Sequence, residues 1–183
     1  GVPYICLGKK LKWKSNRNKL KLFLDNFDLF KTKYILSLDC YDVIVIRDIK
    51  HIIEMFLETG SKVLFNATGT NYPCQGQRHL PQPNEIKEQN MCPNAPFQFL
   101  NSGVYIGEKY YIKNMIEQSI ELENDGHPES VYSKTNTHSD QWLMKKMYHN
   151  DNNIKIDWKC ELFQIAYLKF GERPWNPNLD NHG

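Results

Sequence analysis

The chain has 183 residues, of which 40% are hydrophobic, and this size suits one domain that can bury a core of its own. Its formal net charge of +2 is near neutral, and its lysines and arginines are dispersed, which argues against a dedicated nucleic-acid-binding protein. No run of 18 or more apolar residues is present, so the sequence predicts no membrane span.

The first third of the chain alternates between strand and helix patterns. Ser15 is a candidate N-cap for a helix whose apolar residues recur at i, i+3, i+4 and i+7, and Asp48 is a candidate cap for a second helix that stops at Gly60. The predicted elements are a strand at Val2–Leu7, a helix from Ser15 to about Phe30, a buried strand at Tyr34–Leu38, a helix from Asp48 to Gly60 and a strand at Lys62–Asn66.

The remainder begins with a long polar segment, Thr68–Pro96, that has no periodicity and is typical of a functional loop. After it we expect two strand pieces around a bend at Phe97–Gly107, helices at Glu108–Glu123 and Ser139–His149, and strands at Ile154–Trp158 and Glu161–Tyr167. Alternation of strands and helices predicts an α/β domain with a mainly parallel sheet.

The five cysteines contain no C-x-x-C pair, which argues against a structural zinc site. Cys6 and Cys40 lie in apolar stretches and are predicted to be buried thiols. Cys74 and Cys92 bracket the polar segment, and Asn66-Ala67-Thr68 is a possible N-glycosylation sequon; both features suit a secreted glycoprotein.

If the protein is made in an oxidising compartment, Cys74 and Cys92 are expected to form a disulfide. By constraining the unfolded chain, a loop of that size would add about 3 kcal/mol to the free energy of unfolding. Mass spectrometry of non-reduced peptides checks this, and two free thiols in secreted protein would contradict it.

The strongest chemical signal is Asp39-x-x-Asp42, which interrupts an apolar stretch at the end of a predicted strand. Open α/β sheets bind ligands at that edge, and carboxylates there suit Mg²⁺ or Mn²⁺ bound with a diphosphate. The alternative is that one acid caps a turn and the other is solvated. Burying charge in an apolar stretch is costly unless it is paired, which favours the metal.

Six segments follow one another in an order that resembles the glycosyltransferase domain of the multifunctional procollagen lysyl hydroxylases and related collagen glycosyltransferases, with viral and microbial homologues. The segments are Leu38–Ile44, Glu58–Phe65, Phe99–Gly107, Ser139–Gln141, Ile156–Gln164 and His182-Gly183. The resemblance covers nearly the whole chain.

The resemblance implies a GT-A type, Rossmann-like mixed sheet flanked by helices, with its first strand missing from residues 1–183 and the domain truncated at both ends. It implies that Asp39, Asp42 and His182 hold Mn²⁺, and an imidazole ligand favours Mn²⁺ over Mg²⁺. A histidine near a terminus could equally be solvated.

The resemblance also implies a set of residues that bind the UDP-sugar donor: Lys19, Trp13, Tyr41, Ser102, Gly103 and Gly183. Lys19 would lie near the phosphates, although it could also be an exposed helix lysine. Trp13 would stack on the uracil, or else pack on the sheet edge. Gly103 would permit close approach of the backbone to the sugar.

Asp140 and Asn101 are the candidate catalytic residues. Asp140 could take the proton of an acceptor hydroxyl, bind the donor sugar's hydroxyls, or only favour a helix N-terminus. Asn101 would contact the sugar or only pin a turn. Ser139 stands where the family has a second acid, and Asp157 and Gln164 match positions that would line the acceptor side.

Together these features predict an enzyme, a hexosyltransferase that moves glucose or galactose from UDP to a hydroxyl of a protein or glycan. Hydroxylysine or galactosyl-hydroxylysine of a collagen-like protein is the acceptor that the resemblance implies. The compartment would be the endoplasmic reticulum, the Golgi lumen or the exterior in a eukaryote, and the cytoplasm for a viral or bacterial protein.

The rival hypothesis is a non-catalytic sugar-nucleotide- or protein-binding module, which the loss of an acid at Ser139 favours. A phosphotransferase with Asp39 as nucleophile lacks a convincing downstream lysine and acidic pair.

Overall fold

The computed structural model of the chain describes residues 4–12, 15–40, 43–69, 71, 87–88, 90–91, 93–95, 97–124 and 139–165. Its helices are α1 (Asn18–Asp25), a 3-10 turn (Phe27–Leu29), α2 (Ile49–Glu58), α3 (Lys109–Asn124) and α4 (Asp140–Asn150). Its strands are β1 (Tyr34–Leu38), β2 (Val63–Thr68), β3 (Phe99–Glu108) and β4 (Ile154–Ile156).

The four strands form one mixed sheet in the order β1-β3-β2-β4. β3 lies between β1 and β2 and is antiparallel to both, whereas β2 and β4 are parallel. The α/β class and the mixed sheet flanked by helices are confirmed. The expectation of a mainly parallel sheet is wrong for these strands, because β3 runs against its neighbours as one continuous strand rather than as two pieces around a bend.

Residues on the two faces of the sheet belong to two hydrophobic clusters. Val63 and Phe65 of β2 pack with α1, α3 and α4, while Leu64, between them, packs with Ile106 and with α2. This alternation follows from the two-residue period of a strand. The sheet is therefore the middle layer, with α1, α3 and α4 on one face and α2 on the other.

Local signals placed α2 correctly. The Asp48 side chain accepts a hydrogen bond from the backbone N of Lys50, and Gly60 has a φ of +63°, a conformation that favours glycine.

The first helix, α1, is shorter than predicted. It begins at Asn18, and Asn26 follows its last turn with its side-chain Nδ2 donating to the carbonyl of Leu22. A side-chain amide that hydrogen-bonds a helix carbonyl competes with the helical ladder, which fits an end at Asp25.

Two predicted strands are not found where the structure describes them. Residues 4–7 and 161–165 carry no strand, and β4 ends at Ile156. The reason at the second place is Asp157, whose carboxylate accepts hydrogen bonds from the backbone N–H groups of Glu161, Leu162 and Phe163. These bonds hold the segment in a turn and leave its N–H groups unavailable to a sheet.

The cysteine and sequon predictions have different outcomes. Cys6 and Cys40 are exposed free thiols, so the expectation that they are buried is wrong. Asn66 lies buried in β2 with its Oδ1 accepting from the N of Ala67, and the folded chain therefore does not present this sequon for glycosylation. Cys74 and Cys92 lie outside the described residues. Within the described ranges, no helix combines the length and apolar character that a membrane span requires.

Candidate active site

Asp39 lies directly after β1, at the edge of the sheet. Its backbone N donates to the carbonyl O of Gly103 at 2.8 Å, which continues the β1–β3 ladder one step beyond the pair Leu38–Val104. The carboxylate is therefore positioned by backbone pairing, and it lies beside the middle of β3.

An irregularity in β3 shapes the surface opposite Asp39. Phe65 pairs with Tyr105, but the next residue of β2, Asn66, pairs with Asn101, so Ser102, Gly103 and Val104 have no partner on β2. Bulges of this kind bend a strand and re-aim its side chains, and they are common beside functional sites.

Side chains satisfy the backbone N–H groups that the bulge leaves without a strand partner. The Gly103 N donates to Asn101 Oδ1 at 2.9 Å, and the Ser102 N donates to Gln141 Oε1 at 3.4 Å. Because the Asn101 oxygen accepts within the turn, its Nδ2 is the atom that can donate to a ligand. Asn101 thus pins the turn and can offer a donor at the same time.

Gly103 has no room for a side chain. A Cβ at this position would lie 3.0 Å from Asn101 Oδ1 and 3.2 Å from Asp39 Oδ2. A larger residue would push Asp39 or Asn101 out of place, so the glycine keeps the carboxylate close to the bulge.

Asp140 is the first residue of α4, and only 4% of its surface is exposed. Ser139 is the N-cap, with its hydroxyl accepting from the backbone N of Trp142 at 3.4 Å. An acid in the first turn is favoured by the helix dipole. In addition, Asp140 Oδ2 accepts from Ser102 Oγ at 3.1 Å, which ties α4 to the bulge.

Lys19 of α1 joins the two acids. Its Nζ lies 2.8 Å from Asp39 Oδ1, 2.9 Å from Asp39 Oδ2 and 3.3 Å from Asp140 Oδ2. Three elements that are distant in sequence therefore place two carboxylates around one ammonium group. With both acids ionised, the three side chains carry a net charge of −1.

The electrostatics of this cluster differ between its members. Burial raises the pKa of Asp140 above its ordinary value, and the neighbouring Lys19 and Ser102 offset only part of that rise. Burial acts to lower the pKa of Lys19, but Asp140 and Asp39 outweigh it and raise the pKa, which keeps the ammonium charged.

Among the sequence-predicted residues, Lys19, Asp39, Asn101, Ser102, Gly103 and Asp140 come together. Trp13, Tyr41, Asp42, His182 and Gly183 lie outside the described residues, and their roles stay predictions. Among the described residues alone, no group of three or more His, Cys, Asp or Glu could hold a metal ion. Gln164 is exposed, and the Asp157 carboxylate accepts hydrogen bonds in the turn after β4; the place of both residues on the acceptor side stays a prediction.

Two residues at the site had no predicted role. Gln141 supports the bulge through its amide oxygen, and Tyr105 is a buried phenol whose pKa is raised chiefly by burial, although its contact with Ser37 acts in the opposite direction. Tyr105 is two residues from Gly103, so the two-residue strand period was a signal that could have placed it on the same face. The only sequence signal for Gln141 was its position beside Asp140.

Comparisons with known proteins show which sequences this chain resembles. The family model described as the PLOD GT domain matches residues 7–172. The human multifunctional procollagen lysine hydroxylase and glycosyltransferase LH3 is 26% identical over 157 residues, which cover 86% of this chain and 18% of that protein. Mouse procollagen-lysine,2-oxoglutarate 5-dioxygenase 2 is 24% identical over 150 residues, 79% of this chain and 17% of its own length.

A viral relative extends the comparison. The uncharacterized protein R699 of Acanthamoeba polyphaga mimivirus is 23% identical over 179 residues, which cover 91% of this chain and 34% of that protein. The chain thus spans about a third or less of the length of each of these relatives.

Proposed function

The chain belongs to the family of the PLOD glycosyltransferase domain, and from this premise we propose that it transfers glucose or galactose from a UDP-sugar to a hydroxyl acceptor with the help of Mn²⁺. The observation that carries the proposal is the convergence of Asp39, Lys19 and Asp140 beside the β3 bulge. A hydroxylysine or galactosyl-hydroxylysine in a collagen-like protein is the acceptor class that we propose.

Asp39 and Asp140 would contribute oxygen atoms suited to a divalent cation, and the proposed site needs ligands beyond the described residues as well. Asp39 and Asp140 already share one positive charge, the ammonium of Lys19, and carboxylate oxygens are the ligands that Mg²⁺ and Mn²⁺ prefer. Asp39, Asp42 and His182 would hold the ion. When bound there, Mn²⁺ would supply positive charge to the diphosphate leaving group.

The chain's own groups divide the remaining tasks. Lys19 offers an ammonium to the donor's phosphate oxygens, and Asn101 offers its amide N–H to an oxygen of the sugar. Ser102 donates to Asp140 and so orients that carboxylate. Asp140 either accepts the proton of the acceptor hydroxyl or binds hydroxyls of the donor sugar, and a raised pKa makes its ionised form a better proton acceptor.

Titration of UDP into the protein by calorimetry, first with Mn²⁺ and then with EDTA, tests the proposal. We expect UDP to bind more tightly with Mn²⁺, and Mn²⁺ and UDP to raise each other's affinity by the same factor, since binding linkage is reciprocal. Asp42→Ala should remove the metal-dependent part of UDP binding and abolish transfer without unfolding the protein.

Glu54→Ala is the matched control, because Glu54 is an exposed acid on α2 and should leave UDP binding unchanged. Equal UDP affinity in Mn²⁺ and in EDTA would contradict the metal-dependent mechanism.

A non-catalytic binding module is the second candidate. It is favoured by Ser139, whose hydroxyl caps α4 where the family resemblance implies a second acid. Release of UDP from UDP-glucose or UDP-galactose, measured with and without an acceptor, separates the two. An enzyme releases UDP faster with acceptor, whereas a binding module with Mn²⁺-dependent UDP affinity releases none.

A further inference from the structure

We propose that Lys19 couples metal binding to nucleotide binding at the cation site: its ammonium holds the position on Asp39 that a divalent ion takes, and yields it only when an anionic ligand arrives with that ion. The inference rests on the proposed function, and it adds a reason why metal and nucleotide should bind together.

The contacts of Asp39 lead to this conclusion. Both of its carboxylate oxygens lie within 2.9 Å of Lys19 Nζ, so the ammonium bridges the two oxygens and leaves neither without a cation. A divalent ion coordinated by Asp39 must take at least one of these oxygens. The ion and the ammonium would then be close like charges at one carboxylate, which is unfavourable.

The surroundings of Lys19 decide how readily it can leave. Its side chain is 28% exposed, and the ammonium also contacts the nearly buried Asp140. Moving the ammonium away from both acids would leave Asp140 buried without its counter-charge, which is costly. A divalent ion alone must therefore compete with an established pair.

An anionic ligand changes this balance. Phosphate oxygens that arrive with the ion give Lys19 a new partner within reach of its flexible side chain, while the ion takes over Asp39. The two cations then share two kinds of anion instead of competing for one carboxylate. Without nucleotide, the metal binds weakly because it competes with Lys19 for Asp39. The nucleotide removes this competition by giving Lys19 another partner.

The experiment measures the affinity of Mn²⁺ alone, and then of Mn²⁺ with saturating UDP, for the intact chain and for Lys19→Met and Lys19→Gln. Both variants remove the charge, and glutamine keeps a hydrogen-bond donor that helps to preserve the fold. Without UDP we expect both variants to bind Mn²⁺ about tenfold more tightly than the unmodified chain, the effect of one partly exposed charged hydrogen bond.

The factor by which UDP raises the Mn²⁺ affinity should fall in both variants, since the partner for the phosphate is gone. Lys21→Met is the matched control, because Lys21 is on the same helix, is 74% exposed and pairs with Asp25 instead. It should bind Mn²⁺ like the unmodified chain. Thermal unfolding of each variant verifies that the fold is retained.

Unchanged or weaker Mn²⁺ binding by both Lys19 variants, with Mn²⁺-dependent UDP binding intact in the unmodified chain, would overturn the exchange and leave the proposed function standing. Absence of Mn²⁺ binding in every protein, with and without UDP, would instead overturn the proposed function and this inference with it.

Discussion

Asp140→Asn is expected to lower turnover by at least about a hundredfold, the usual scale for a positioned general acid or base. Asparagine keeps the size of the side chain and can still accept from Ser102, but it cannot take a proton. Steady-state kinetics with UDP-sugar and a hydroxyl acceptor measure the effect. If Asp140 is a proton acceptor, kcat should fall while donor affinity changes little; if it binds the sugar's hydroxyls, both should fall.

The pH dependence of stability supplies an independent readout for the same variant. Burial raises the folded-state pKa of Asp140, so folding disfavours its ionised form. Its contribution to stability is complete below the unfolded-state pKa and is lost as the pH rises through the raised folded-state pKa. Asp140→Asn has no carboxyl group to ionise, so its free energy of unfolding should not fall over this pH range. Above the range, its free energy of unfolding should be no lower than that of the unmodified chain.

Asp28→Asn is the matched control, since Asp28 is an exposed acid in the 3-10 turn. It should leave kcat unchanged. Near-normal turnover in folded Asp140→Asn would show that Asp140 is not catalytic and only stabilises the N-terminus of α4.

Glu88→Gln is expected to lower the free energy of unfolding by about 3–5 kcal/mol, the usual range for removing one charge of a buried ion pair. Glu88 is fully buried, and its Oε2 lies 3.1 Å from Nζ of Lys145, whose side chain is only 5% exposed. Its other oxygen, Oε1, accepts from the backbone N of Leu100 at 3.4 Å and lies 3.5 Å from Nε2 of His149.

Urea or thermal unfolding measures this effect, and the double variant Glu88→Gln, Lys145→Met sharpens it. The double variant removes the Lys145 charge together with that of Glu88, so it should recover much of the stability lost by the single variant. Glu117→Gln is the control, because the Lys113–Glu117 pair on α3 is partly exposed and such pairs contribute only about 0.3–0.5 kcal/mol. A loss for Glu88→Gln as small as that of Glu117→Gln would show that the buried pair is not a net stabilising element.

The position of this pair relates stability to the site. Leu100 immediately precedes Asn101, and Lys145 lies on α4, which begins with Asp140. Glu88 therefore links the strand that carries the bulge to the helix that carries the acid. A destabilised Glu88 variant that still folds should also show lower transfer activity, since both groups lose a common support.

The candidate site was predicted partly from the residues and partly from the family resemblance. Asp140 was singled out because it matches an acidic position of the family. Asp39 stood out because a charged residue ended an apolar run, a signal that depends on neighbours within a few positions in the chain. The ion-pair partner of Asp39 could not be predicted in this way, since Lys19 is 20 residues away and reaches it only when α1 packs on the sheet.

The sequence by itself determined the α2 helix with its cap at Asp48, the α/β class and the position of Asp39 at the end of β1, because caps, periodicity and burial cost act over a turn or a strand. Only the tertiary structure decided that β3 runs antiparallel between β1 and β2, that its bulge places Ser102 beside Asp140 and Gly103 beside Asp39, and that Cys6 and Cys40 are exposed. These outcomes depend on which distant segments pair and pack. An apolar stretch indicates that a segment prefers burial. The strand it pairs with, its direction and its register depend on segments that lie far away in the chain.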